Sequence, residues 1–64
     1  MQTFEPGQLA LMRAALAQVA AYMRADSSTQ ALMAEQILRS AKNGARSKEE
    51  FEAVATEAAR SKVA

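Results

Sequence analysis

The sequence predicts an all-α chain: a compact three-helix bundle forming one domain over residues 1–64, with the first helix longest. Three observations carry this expectation. Sixteen of the 64 residues are alanine, the strongest helix former, against one proline and two glycines. The larger apolar residues recur at steps of three and four in three separate stretches, which is the spacing of one helix face. Two short runs of cap and turn residues, Asp26–Thr29 and Asn43–Ser47, divide those stretches.

The first helix is expected over about residues 6–24. Pro6 suits the first helical position, where its missing N–H would be an orphan donor in any case. Glu5 before it can cap the helix or complement its dipole, and Phe4 is placed to staple onto the first turn. Leu9, Met12, Leu16, Val19 and Met23 form the apolar face. About 19 residues give a rod of ~28 Å.

The second helix is expected over about residues 28–43. Asp26, Ser27, Ser28 and Thr29 offer side-chain acceptors to the free N–H groups at its start. Its inward face reads Met33, Ala34, Ile37, Leu38 and Ala41. It stops at Asn43-Gly44, where Gly44 is expected at positive φ because glycine takes the left-handed closing position without steric cost. The third helix is expected over about residues 48–61. Ser47-Lys48-Glu49-Glu50 has the form of a capping box. Its apolar face is Phe51, Val54, Ala55 and Ala58, with Phe51 docking it on the other two helices. Ser61 to Ala64 are expected to fray. The core predicted from these faces is Leu9, Met12, Leu16, Val19, Met23, Met33, Ile37, Leu38, Phe51 and Val54.

Composition excludes most chemistry. There is no Cys and no His, which removes disulfides, thiolate zinc sites, catalytic thiols and imidazole bases. A nucleophilic Ser or Thr would lack its usual base. Glu49, Glu50, Glu52 and Glu57 are the only crowded carboxylates, and on a short helix they read as complements to its N-terminus. No calcium-type loop is present, and no pattern points to a cofactor, so the chain is expected not to be an enzyme. Leu, Ile, Val and Phe make up eleven of 64 residues, below the ~20% that accompanies disorder. Disorder also requires high net charge, and this chain carries +1. The most apolar stretch, Leu9–Met23, contains Arg13 and Gln18 and is too short for a ~20-residue membrane span. No secretory or targeting signal is visible, and a cytoplasmic location is expected.

Two surface patterns bear on partners. Arg39, Lys42, Arg46 and Lys48 surround the turn between helices 2 and 3, which invites a helix-turn-helix reading with helix 3 in a DNA groove. Glu49, Glu50 and Glu52 would stand at the approaching end, and the net charge is nearly zero, so nucleic acid is the alternative and not the preferred reading. The second pattern lies on helix 1. Ala10, Ala14, Ala17 and Ala21 form a stripe that lets two helix backbones approach closely. On another flank Leu11, Ala15 and Tyr22 extend the apolar surface beyond what two short neighbours need. Leu32 points away from the inward face of helix 2, toward Gln36, Arg39 and Asn43. These positions are expected to form a protein interface, first of all with a second copy of the chain.

The order of Leu9-x-x-Met12-x-x-x-Leu16, the Asp26-to-Thr29 break, Met33-Ala34-x-x-Ile37-Leu38 and Gly44-x-Arg46 resembles small uncharacterised bacterial proteins. Their shared features are a Pro-led first helix, an Asp-x-x-Thr start to the second, an Ile-Leu pair and a Gly-x-Arg turn. The resemblance implies the all-helical fold and the cytoplasmic location. It implies no activity and no functional residue. Such chains place Glu after the proline, where this sequence has Gly7, which loosens the first turn. The residues therefore lead to a non-catalytic interaction or regulatory module, paired as a homodimer. A small nucleic-acid binder is the alternative, and a ligand slot softened by the four methionines is a third possibility.

Overall fold

Three helices form in chain order: α1 (Pro6–Met23), α2 (Ser27–Lys42) and α3 (Lys48–Val63). The computed structural model describes residues 4–63 and the side chains of residues 4–61. The predicted domain boundaries therefore include residues 1–3 and 64, which lie outside the described residues. With 18 residues against 16 and 16, α1 is the longest helix, as expected.

Glu5 precedes α1 in an extended conformation, and its carbonyl accepts the Leu9 N–H at 3.0 Å. Its side chain makes no capping hydrogen bond, so the capping role expected for Glu5 is not taken. The helix start rests on Pro6 at its first position. Phe4 is half-buried and packs against the core. Asp26 caps α2: its Oδ1 accepts the Thr29 N–H at 2.8 Å, and its carbonyl accepts the Gln30 N–H at 2.8 Å. The sequence is expected to fray from Ser61, but α3 stays helical through Val63, because Ser61-Lys62-Val63 contains no residue that breaks a helix. Ala64 lies outside the described residues.

Both interhelical turns use the same device. After α2, the Ala45 N–H donates to the Ser40 carbonyl at 3.0 Å and the Gly44 N–H to the Ala41 carbonyl at 3.2 Å, with Gly44 at φ 108°. After α1, the Ala25 N–H donates to the Ala20 carbonyl at 2.9 Å and the Arg24 N–H to the Ala21 carbonyl at 3.4 Å, with Arg24 at φ 53°. These are two Schellman motifs, one closed by glycine and one by arginine. An L-residue in that conformation is strained by roughly 1–2 kcal/mol. The two sites should respond in opposite directions. Arg24→Gly is expected to raise stability by up to about 1 kcal/mol, and Gly44→Ala to lower it by about 1 kcal/mol. Nothing crowds a methyl group at Gly44, so its loss would be a backbone effect alone. Urea midpoints of the two variants, moving apart from wild type, check this.

α3 packs extensively on both α1 and α2, whereas α1 and α2 meet only sparsely. The buried core is Met12, Ala15, Val19, Ala20, Met33, Ile37, Ala41, Phe51, Ala55, Ala58 and Ala59. Six of these eleven are alanine, so the helices approach along small side chains and the larger ones fill the spaces beside the contact lines. Met12, Val19, Met33, Ile37 and Phe51 are core residues as predicted. Leu9, Leu16, Met23 and Val54 are half-buried and packed against the core. Two expectations need correction. Leu38, predicted as core, is 43% exposed; it lies toward the line where α1 and α2 barely meet, and no helix covers it. Ala15, predicted on a free flank of helix 1, is completely buried, because the core face of α1 runs through it.

Candidate interaction surfaces

The solvent face of α1 is unusually poor in charge. Ten of its residues are exposed: Pro6, Gly7, Ala10, Leu11, Arg13, Ala14, Ala17, Gln18, Ala21 and Tyr22, and Arg13 alone is charged. By contrast α2 exposes Glu35, Arg39 and Lys42, and α3 exposes Glu49, Glu50, Glu57 and Arg60. The predicted stripe Ala10, Ala14, Ala17 and Ala21 is open along its whole length. Beside it stand Leu11, 38% exposed, and Tyr22, 89% exposed. Ala15 sits between these two along the helix but is withdrawn into the core, so the flank predicted as Leu11-Ala15-Tyr22 reduces to Leu11 and Tyr22. Leu32 is half-buried rather than free. It packs against the core and shares a shallow cleft with Gln36, Val54 and Ala58 on the side where α3 meets α2.

Between α1 and α2, on the side away from α3, runs an open groove with a cavity of about 180 Å³. Leu9 and Leu16 line it from α1, Ala34 and Leu38 from α2, and Met12 and Ile37 form its deepest part. Among the described residues Arg13 is the only charged one that lines it. The groove was not legible in the sequence, because Leu9, Leu16 and Leu38, which line it, all fall on rows read as core.

The four bases singled out in the sequence divide into two pairs. Arg39 lies 3.9 Å from Glu35 and Lys48 3.7 Å from Glu52, each one helical turn away. Such exposed pairs are worth only a few tenths of a kcal/mol, but they partly neutralise both bases. Lys42 and Arg46 line one polar cleft of about 320 Å³ together with Phe4, Glu5, Gln8 and Gly44. Glu5 brings a carboxylate into the same cleft.

Glu50 fixes the other side of this turn. Its Oε1 accepts the Arg46 N–H at 3.2 Å, the Ser47 N–H at 3.1 Å and the Ser47 hydroxyl at 3.0 Å, while the Ser47 Oγ accepts the Glu50 N–H at 3.1 Å. This is the predicted capping box, made reciprocally. The Arg46 N–H first, then the Ser47 N–H and hydroxyl, hold the Glu50 carboxyl below its ordinary value of 4.5. A carboxylate lowered on folding stabilises the folded state above its unfolded value and loses that contribution as pH falls through the folded one. Wild type should therefore lose stability below about pH 4.5, and Glu50→Gln should lose less over the same interval. Urea midpoints of both proteins at pH 7 and pH 3 check this; equal losses would separate Glu50 from the acid sensitivity.

Among the described residues no group of three acidic side chains is placed to hold a metal ion, and no helix is long and apolar enough to cross a membrane. Comparison with protein-family models, with curated proteins and with solved structures finds no significant match. The surface itself carries the functional argument.

Proposed function

We propose that this chain is a non-catalytic helical interaction module that pairs with a second copy of itself through the solvent face of α1. The carrying observation is that only one of ten exposed α1 residues is charged. Interface cores are depleted in charge and enriched in aromatic residues and arginine, and this face offers Tyr22, Arg13 and Leu11 around small residues. Alanines along Ala10–Ala21 permit the close backbone approach that a paired helix needs. A twofold axis suits a face that is self-complementary. Sedimentation equilibrium at micromolar concentration should give about 14 kDa, twice the 6.9 kDa chain, and the melting temperature should rise with concentration. Ala14→Glu places two like charges across the axis and should weaken pairing by roughly 100-fold or more. Ala14 is exposed, so the helical circular dichroism should survive. A concentration-independent melt at 6.9 kDa would remove the homodimer.

Nucleic-acid binding is the second reading. Its favouring observation is that Lys42 and Arg46 face one cleft without an ion pair among the described residues. A phosphate binder would lose affinity steeply between ~50 and ~200 mM salt; self-pairing through an apolar face would hardly respond.

A further inference from the structure

We infer that this chain has a second, concentration-dependent form, in which the turn between α1 and α2 straightens and two copies exchange their α1 helices.

Only Arg24, Ala25 and Asp26 separate α1 from α2, and no glycine or proline is among them. Closing this turn requires a left-handed residue, and Arg24 takes that place at φ 53°, ψ 48°. Among the described residues it is the only one other than glycine at positive φ. The turn after α2 is longer, Asn43–Ser47, and gives the same place to Gly44. Left-handed strain therefore falls on the first turn alone. A short hinge under strain favours exchange between copies.

Straightening keeps most of what the closed chain has. With Arg24 right-handed, residues 6–42 form one helix of ~55 Å, against the 32 Å longest extent of the closed chain. In the closed turn the Arg24 and Ala25 N–H groups donate to the Ala21 and Ala20 carbonyls, and the Thr29 N–H to Asp26 Oδ1. In the continuous helix each finds the carbonyl four residues back. Asp26 gives up its cap, and the exposed Gln30 Nε2 its bond to the Ala25 carbonyl. α1 and α2 meet only sparsely, so little besides these bonds holds the turn shut. The extensive packing of α1 on α3 is remade between copies, α1 of each lying on α3 of the other.

Charge suits the pair as well. The two long helices run antiparallel with their hinges side by side. A twofold axis at Ala25 places Arg24 of each copy opposite the partner's Asp26, so opposite charges meet on both sides of the axis.

Self-pairing through the solvent face of α1 leaves every chain closed, whereas exchange opens it. Both give a dimer, and the distance within one chain tells them apart. The chain has no cysteine, so Gln8→Cys with Lys42→Cys takes two spin labels and no others. Both positions line one cleft in the closed chain; in the straightened chain they stand ~51 Å apart. Labelled chain is diluted with unlabelled chain, refolded from urea at millimolar concentration, and its dimer measured by pulsed electron resonance. A population near ~51 Å is expected in the dimer and not in the monomer. Arg24→Gly relieves the closed turn and weakens the straight helix. It should lower the exchange constant by roughly 25-fold, since each pair has two hinges. Ser27→Pro should lower it by more than ~100-fold. Ser27 opens α2 after an extended Asp26, ψ 177°, where proline fits, but proline inside a continuous helix breaks it. Ala14→Glu should leave the long distance unchanged. A dimer with only the short distance, a long distance that survives Ser27→Pro, or monomer at every concentration would overturn the proposal. Exchange is read through Ser27 and face pairing through Ala14, so either can fail without the other.

Discussion

Phe51→Ala is expected to cost about 3–5 kcal/mol. That is comparable to the whole stability a single core of this size supplies, so the variant should be largely unfolded. Phe51 is one of the two largest side chains that are completely buried. Without it α3 contributes, among the described residues, only Ala55, Ala58 and Ala59 to the buried core, with half-buried Val54 beside them. Alanines fill a contact line but remove little apolar area from water. Because α3 is the element that both other helices pack on, loosening it releases the whole arrangement. Circular dichroism at 25 °C and hydrogen exchange check this. A folded Phe51→Ala protein whose α3 amides remain protected would contradict the arrangement described.

Met33→Ala is expected to cost about 2–5 kcal/mol, toward the lower end of that range. Met33 is also completely buried, but α2 keeps Ile37, 2% exposed, one turn further on. The vacated volume, not the loss of the thioether, is the cause, so Met33→Leu should cost less than about 1.5 kcal/mol. Urea denaturation of the two variants separates these explanations. Equal losses would mean that Met33 is held by something other than its shape.

Much of the fold is legible in the residues. Pro6, Asp26, Gly44 and the Ser47–Glu50 box mark helix ends by chemistry that acts locally, and each stands where its side chain or backbone preference places it. The end of α1 carries no such mark. Arg24 adopts the left-handed conformation because α2 must turn back, and no arginine announces that. The core was legible only in part. Large apolar residues were expected inside, yet a bundle whose helices approach closely puts alanines on the contact lines and turns some leucines outward. Ala15 and Leu38 exchange their expected places for that reason. On α1, where apolar residues occupy most of the circumference, periodicity cannot choose which row faces α3. The interaction surfaces share this difficulty: Leu11, Ala14 and Tyr22 are open as expected, Leu32 is not, and the α1–α2 groove exists only because α3 settled on the opposite side.

The sparse meeting of α1 and α2 also governs when this chain can fold. Helices form in microseconds or faster, so α1 and α2 can wind up while they are being synthesised. They have little to grip in each other. Their common partner, α3, is made last, and its 16 residues take about 1–3 s at ~5–20 residues per second. Until α3 is available, Met12, Met33 and Ile37 lack the cover that buries them. Tertiary structure therefore waits for α3, the element on which the other two helices pack.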